Sequence, residues 1–285
     1  MERADFTPSV KRLIINADDL GLSPGVTTGI FQAAEAGTVT AASMITNLEG
    51  FDDAVARAPF PPNISVGVHL NLTTGRALTP AKSLTRARTG EFFGAAPLLL
   101  QATMGRIDPA DVEEECGAQI DRLTAAGIVP SHVDSHRHVH AHPVLLAPAV
   151  RAARARGVKL IRRPVERITL RTGEIGPYLK SSALAASWRI AARGADFGST
   201  DHFFGLSLQG SASFETRLIY LLRSLPAGTS ELMVHPGHVD AALRLHDGYL
   251  WERERELRAL LSTRVKAAIA GSSVQLVSFG ALLLQ

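Results

Sequence analysis

The sequence predicts an α/β fold: a single-domain, deformed (β/α) barrel built on mainly parallel strands. Three observations point there. Short β-like runs alternate with longer helical patterns along 285 residues, and that alternation implies a parallel sheet with helices outside it. Seven or eight such units favour a closed or distorted barrel over an open sheet. No fixed-period repeat and no linker breaks the series, so residues 1–285 read as one domain, long enough for a sizeable core.

The strand candidates, in order, are Arg12–Asp19, Thr40–Thr46, Ser65–Leu72, His132–His138, Lys159–Pro164, Glu231–His235 and Val274–Phe279. Each is a short apolar or alternating run bounded by turn-forming residues. The helical candidates are Gly25–Ala36, Phe51–Ala58, Pro109–Ala126, Pro143–Arg156, Phe214–Arg223 and Trp251–Ala270. Asp108 before Pro109 is an N-cap followed by proline at the first helical position, and Gly127 and Gly157 stand where C-terminal glycines belong. The stretch 73–100 is long and irregular for a connection, which suggests an active-site loop or lid. Within it, Ala95–Leu100 is an apolar run that suits helix packing, a greasy substrate or contact with a membrane surface.

Composition narrows the function classes. The apolar fraction is 46%, the charged fraction 20% and the net charge +3, all ordinary for a globular protein. Arginines are scattered among acidic residues without a basic block, which argues against nucleic acid as a partner. The lone Cys116 excludes an internal disulfide and suits a reducing cytoplasm. The N-terminal MERADFTPSVKR lacks the apolar stretch of a signal peptide, and no run reaches the length of a membrane span.

Chemistry concentrates at strand ends. The segment SHVDSHRHVHAHP carries His132, His136, His138, His140 and His142, half of the ten histidines, with Asp134 among them. On a strand these would share one face, as a transition-metal site needs. Residues i and i+2 are roughly 6.6 Å apart and i and i+4 about 13 Å, so one ion takes at most two neighbours from the row. Other ligands must come from other strand ends: Asn16-Ala17-Asp18-Asp19, His69-Leu70-Asn71 and His235-Pro236-Gly237-His238. In parallel α/β folds, active sites gather at the carboxyl ends of strands. Asp18 and Asp19 reach one site only if the strand turns there, and Gly21 with Ser23-Pro24-Gly25 supplies a turn. One carboxylate then binds metal while the other takes a proton. Spacing alone leaves His136 and His138 equivalent. Asp134 could orient a ligand imidazole. Arg162 and Arg163 could hold substrate or Asp18, and Asp201 with His202 could belong to a substrate rim. His132, His140 and His142 read as structural or solvent-exposed.

The blocks NADDLGLSPGV, VGVHLNLT, HVDSHRHVHAHP and ELMVHPGH, in this order, resemble the signature of the YdjC-like carbohydrate deacetylases, over about residues 12 to 255. The resemblance implies a polysaccharide-deacetylase-like deformed barrel that removes acetyl groups from N-acetylated sugars. It implies one divalent metal ion, zinc or magnesium, held by Asp19, His69 and His136, with Asp18 as general base and His235 as general acid. Nitrogen-rich ligation leans toward zinc.

The expected substrate is an N-acetylated amino sugar, either a chito-oligosaccharide or a glycolipid such as the N-acetylglucosaminyl hopanoid associated with some members of the family. Surface contact with a membrane and a homo-oligomer are compatible with this reading. A metal-dependent phosphoesterase or cyclic-amide hydrolase on a related barrel is the nearest alternative. Amidohydrolases, however, generally place an HxH pair on the first strand, which here carries Asp18-Asp19. A catalytically silent metal- or sugar-binding protein is the alternative of another class, and the full acid, base and ligand set argues against it.

Overall fold

Alternation along the first strand sets the plan of the molecule. In β1 (Lys11–Leu20), Leu13, Ile15 and Ala17 enter the main hydrophobic core, while Ile14, Asn16 and Asp18 face the other way. A two-residue period on a strand buried on both sides divides it into an apolar and a polar face. The structure is a computed structural model describing residues 10–167, 175–193 and 197–283. The N-terminal stretch that argued against a signal peptide lies outside the described residues as far as residue 9.

Among the described residues six further strands follow: β2 (Ala41–Met44), β3 (Ser65–Leu70), β4 (Val133–Ser135), β5 (His202–Phe204), β6 (Gly228–Val234) and β7 (Val274–Leu276). Their order is β4-β3-β2-β1-β6-β5, and every strand pairing is parallel. β6 runs along one edge of β1; β7 (against Lys11–Leu13) and β2 (from Asn16 on) share the other. From β4 the ladder continues only as isolated parallel bridges, Val133 to Ile161 and Leu160 to Gly198, and β5 begins at His202. The sheet therefore curls round on itself with a thin side, a deformed barrel as expected. The expected strand Lys159–Pro164 is reduced to those bridges, and β5 had no counterpart among the strand candidates.

The helices cover the outside. They are α1 (Pro24–Glu35), α2 (Gly50–Ala56), α3 (Ala95–Thr103), α4 (Pro109–Ala125), α5 (Pro143–Ala155), α6 (Ile175–Ala191), α7 (Phe214–Ser224), α8 (Ala241–His246), α9 (Trp251–Leu261), α10 (Thr263–Ala270) and α11 (Phe279–Leu282). The cap read from sequence is present, Asp108 accepting from the Ala110 N–H, and Ser23, expected only as part of a turn, caps α1 ahead of Pro24. The expected long helix Trp251–Ala270 is two, because Ser262 leaves helical geometry (ψ 141°) and caps α10.

The apolar core lies between sheet and helices, with Met44, Val68, Leu70, Val133, Leu232 and Val234 as its sheet side. The lumen differs from that of a TIM barrel, which is filled by layers of branched apolar residues. Ile14, Ala41 and Phe279 close its lower end. Above them stand Asn16, Ser43, His69, Asp134, Arg162 and Glu231, all buried. The stretch 73–94 is stitched down rather than free. Gln119 of α4 brackets Asn71, accepting from its N–H (2.8 Å) and donating to its C=O (2.8 Å). Glu115, one turn earlier, accepts from the backbone N–H groups of Leu78 and Thr79.

Candidate metal centre and its cleft

The carboxyl end of β1 brings two adjacent carboxylates to one place by breaking its own alternation. The register against β2 slips between Ala17 and Leu20, and Asp19 has φ of 71°. A left-handed residue reverses the side-chain parity of an extended chain. Both Asp18 and Asp19 consequently line the same cleft. The turn expected at Gly21 is present (φ 79°), but the break falls two residues earlier.

The histidine row is not a strand, which corrects the expected run His132–His138. β4 ends at Ser135, and His136–Ala141 form a 3₁₀ turn in which Arg137 (φ 59°) and His138 (φ 57°) are left-handed. The chain rolls instead of pleating, so the imidazoles scatter. His132 lies in the barrel floor, stacked on Phe279 at 3.8 Å, and burial holds it down at about 4. His140 turns back to Ser135 Oγ and the Arg162 carbonyl (3.0 Å), again lowered to about 4 by burial. His142 caps α5. Only His136 and His138 reach the cleft.

His136 and His69 converge on Asp19. Asp19 Oδ1 lies 2.9 Å from His136 Nδ1 and 3.2 Å from His69 Nε2, and the two rings stand edge to face at 5.7 Å. Asp134 accepts from His69 Nδ1 at 2.7 Å and so turns Nε2 toward Asp19. Burial alone would lower His69, but the charge and hydrogen bond of Asp134 raise it to about 10. Burial would likewise raise Asp19, yet Arg253, donating to Oδ2 at 2.6 Å, and then His136 hold its carboxyl well below the usual range. Asp19, His69 and His136 each offer a ligand atom within 4.8 Å of the others, and His136 Nε2 is buried without a partner. Two imidazoles and one carboxylate are a donor set that fits a divalent transition ion with positions left open. Asp18, His69 and Asp134 form a second such grouping. A guanidinium already fills it.

That guanidinium is Arg162, buried among three carboxylates. It forks onto Asp18 (Nη1 to Oδ2 and Nη2 to Oδ1, both 2.6 Å), touches Asp134 Oδ2 at 2.7 Å and donates Nε to Glu231 Oε1 at 2.6 Å. Asn16 adds a donor to Asp18 Oδ1 at 2.9 Å and another to Ser43 Oγ at 3.1 Å. A carboxylate has about four acceptor sites; these donors leave one on Oδ2, and Asp18 lines the cleft. His235 enters from the end of β6, its N–H held by Glu256 at 2.6 Å and its ring against Tyr249 at 5.4 Å.

The cleft has a volume of about 500 Å³ and brings together Asp18, Asp19, His69, His136, His138 and His235. Ala95 of α3, Lys180 of α6 and the α8–α9 turn (Asp247–Tyr249) complete its walls. Asp134 and Arg162 lie beneath it. Asp201 and Arg163 stand away from it: the Asp201 carboxylate accepts from the Thr229 N–H at 2.8 Å, and Arg163 donates to the Asp201 carbonyl. Sequence reasoning missed Arg253, Glu231 and Ser43, and named Asn16 only as part of a polar strand end, without its role on Asp18. Glu231 had a signal, a lone charge inside the apolar run ELMVH. Arg253 had none, since WERERE reads as a solvated helix face, yet Arg253 is fully buried on Asp19.

Fold and site together define a parallel α/β barrel with a two-histidine, one-carboxylate cluster at the carboxyl ends of its strands. The sequence profile of the YdjC-like protein family matches residues 12–271, and the chain belongs to that family. It is 34% identical to the carbohydrate deacetylase of Brevibacillus brevis, covering 95% of this chain and 99% of that one. It is 32% identical to the carbohydrate deacetylase of Mus musculus, covering 93% of each. Among solved structures, a cellobiose-phosphate cleavage protein of Enterococcus faecalis V583 superposes with a TM-score of 0.78 at 26% identity, over 96% of this chain and 99% of that one.

Proposed function

We propose that this protein is a divalent-metal-dependent N-deacetylase that releases acetate from an N-acetylated amino sugar. The observation that carries the reading is the meeting, in one cleft, of Asp19, His69 and His136 with a separately held carboxylate, Asp18, and a further imidazole, His235. Relatives named carbohydrate deacetylases over nearly the whole chain support it.

Asp19, His69 and His136 would hold the cation, which supplies Lewis-acid polarisation of the acetamide carbonyl and a lowered pKa for water. Asp134, on His69 Nδ1, fixes the tautomer that presents Nε2. Asp18 is the general base. Arg162 fixes its carboxylate plane, and the free acceptor site on Oδ2 takes the proton of the attacking water. His235 donates a proton to the departing amine. His138, left-handed and buried with Nδ1 unpartnered, contacts the sugar. Zinc is the ion the donor set favours over magnesium. The substrate is a chito-oligosaccharide or an N-acetylglucosaminyl lipid such as a glycosylated hopanoid, and exposed Leu100 on α3 and Met104 at its C-terminal cap offer apolar surface for the latter.

A panel of N-acetylglucosamine, chito-oligosaccharides and an N-acetylglucosaminyl lipid, scored for acetate with and without chelator, tests this directly. Acetate release should be abolished by chelator and restored by metal. His69→Ala and His136→Ala should lose both bound metal, read by elemental analysis, and activity. Chelator-insensitive release, or no acetate from any member, would rule the proposal out.

A further inference from the structure

Two buried acceptors in the barrel lumen have no donor. Among the described residues, Glu231 Oε2 and Asn16 Oδ1 are both enclosed and unpartnered, while the donors nearest them, on Arg162 and on the Asn16 amide, are committed to carboxylates and to Ser43. They belong to adjacent strands: Glu231 of β6 pairs in register with Ile14 of β1, two residues before Asn16. Both face the lumen, since Glu231 meets Arg162 and Asn16 meets Asp18 there. The orientation of the Asn16 amide is fixed, because its NH₂ donates to the Asp18 carboxylate and to Ser43 Oγ, which leaves only the carbonyl oxygen free. An ionised carboxylate has acceptors alone. Two acceptors cannot satisfy one another while neither carries a proton, and leaving both buried and unpaired has a substantial cost.

We infer that Glu231 is a neutral carboxylic acid in the working protein: its Oε1 accepts from Arg162 Nε, and its Oε2–H donates to the carbonyl oxygen of Asn16. One proton satisfies both stranded acceptors. It also relieves the charge inventory around Arg162, where Asp18 from β1, Asp134 from β4 and Glu231 from β6 otherwise set three carboxylates against one guanidinium and, in chelated protein, the His69 imidazolium on Asp134. Phe203 of β5, under the Arg162 guanidinium at 5.5 Å, brings no charge to that side. Burial pushes Glu231 up to about 7, with Asp134 and Asp18 adding to it and Arg162 opposing, in the direction the hydrogen-bond pattern requires. Glu231 is thereby a positioning residue. As an acid it steadies Arg162 without competing for its charge, so the guanidinium's forked face stays committed to Asp18, a role that rests on the base assigned to Asp18 above.

Infrared difference spectra of wild type against Glu231→Gln, on chelated protein without substrate, read the proton itself and do not depend on deacetylation. The expected result near pH 6 is the C=O stretch of a protonated carboxyl group in wild type, absent from E231Q. The melting temperature gives a second reading. A raised folded-state pKa contributes stability that is fully present below the unfolded value and lost as pH rises through about 7. E231Q should therefore gain on wild type between about pH 5 and pH 8. Where turnover is measurable, Glu231→Ala should lie at least about tenfold below E231Q in kcat/KM, because only the amide keeps the contact to Arg162. Absence of the infrared band, a pH-independent deficit of E231Q, or failure of E231Q to fold would each overturn the inference.

Discussion

Asp18 and Asp19 are chemically identical neighbours, and their surroundings give them different work. Arg253 takes one oxygen of Asp19, leaving the other to the two imidazoles. Arg162 takes both oxygens of Asp18 but only part of their capacity. Removing the charge of Asp18 should therefore spare the metal and cost the reaction. Asp18→Asn is expected to keep metal stoichiometry while kcat falls by about 10²–10⁴, the usual worth of a positioned general base. Elemental analysis and acetate release on the same preparation check this, and full activity in the variant would remove Asp18 from that role.

At the scale of elements, the barrel floor shows how tightly β3 and β4 are fitted. Gly67 of β3 has space for no side chain: a Cβ there would lie 2.4 Å from His132 Cε1 and Nδ1. His132 cannot retreat, because Phe279 of α11 stacks on its other face. Gly67→Ala should lower stability by about 1–3 kcal/mol, the range for overpacking a filled core, as read by urea denaturation. A neutral result would mean that the stack is loose. The same elements mark how far sequence reasoning reaches. The strand ends bearing Asp19 and His69 were legible, since β1 and β3 keep their expected extent to within a few residues and end in polar groups. The histidine row was legible as chemistry and misread as geometry. Two left-handed residues, Arg137 and His138, turned an expected pleat into a 3₁₀ roll, and no local signal such as glycine announced them. Arg253 and Glu231 escaped for a different reason: their partners lie 234 and 69 residues away, and burial of a charge depends on what packs over it.

Across the whole molecule, the buried imidazoles tie stability to acidity. His132 and His140 are both depressed to about 4 by burial. A depressed folded-state pKa contributes stability that is present above the unfolded value, 6.5, and lost as pH falls toward 4. In chelated protein His69 does not offset this loss: its raised pKa leaves it protonated in both folded and unfolded states through that window. Thermal melts should thus show a falling melting temperature from about pH 6.5 to pH 4, with a shallower fall in His140→Gln. A flat profile would indicate that these rings take up protons without unfolding.

The polar lumen also fixes where this protein can be improved. A TIM barrel draws cohesion from the side chains inside its sheet; here that volume is given over to Arg162, Asp134, Glu231, Asn16 and Ser43, groups that hold one another and the cleft. Buried ionic networks of this kind add little net stability and are costly to break singly. Cohesion comes from the apolar annulus between sheet and helices. An engineer seeking a more heat-resistant variant has that outer annulus and the helix surfaces to work with, while the inside of the barrel tolerates almost no redesign.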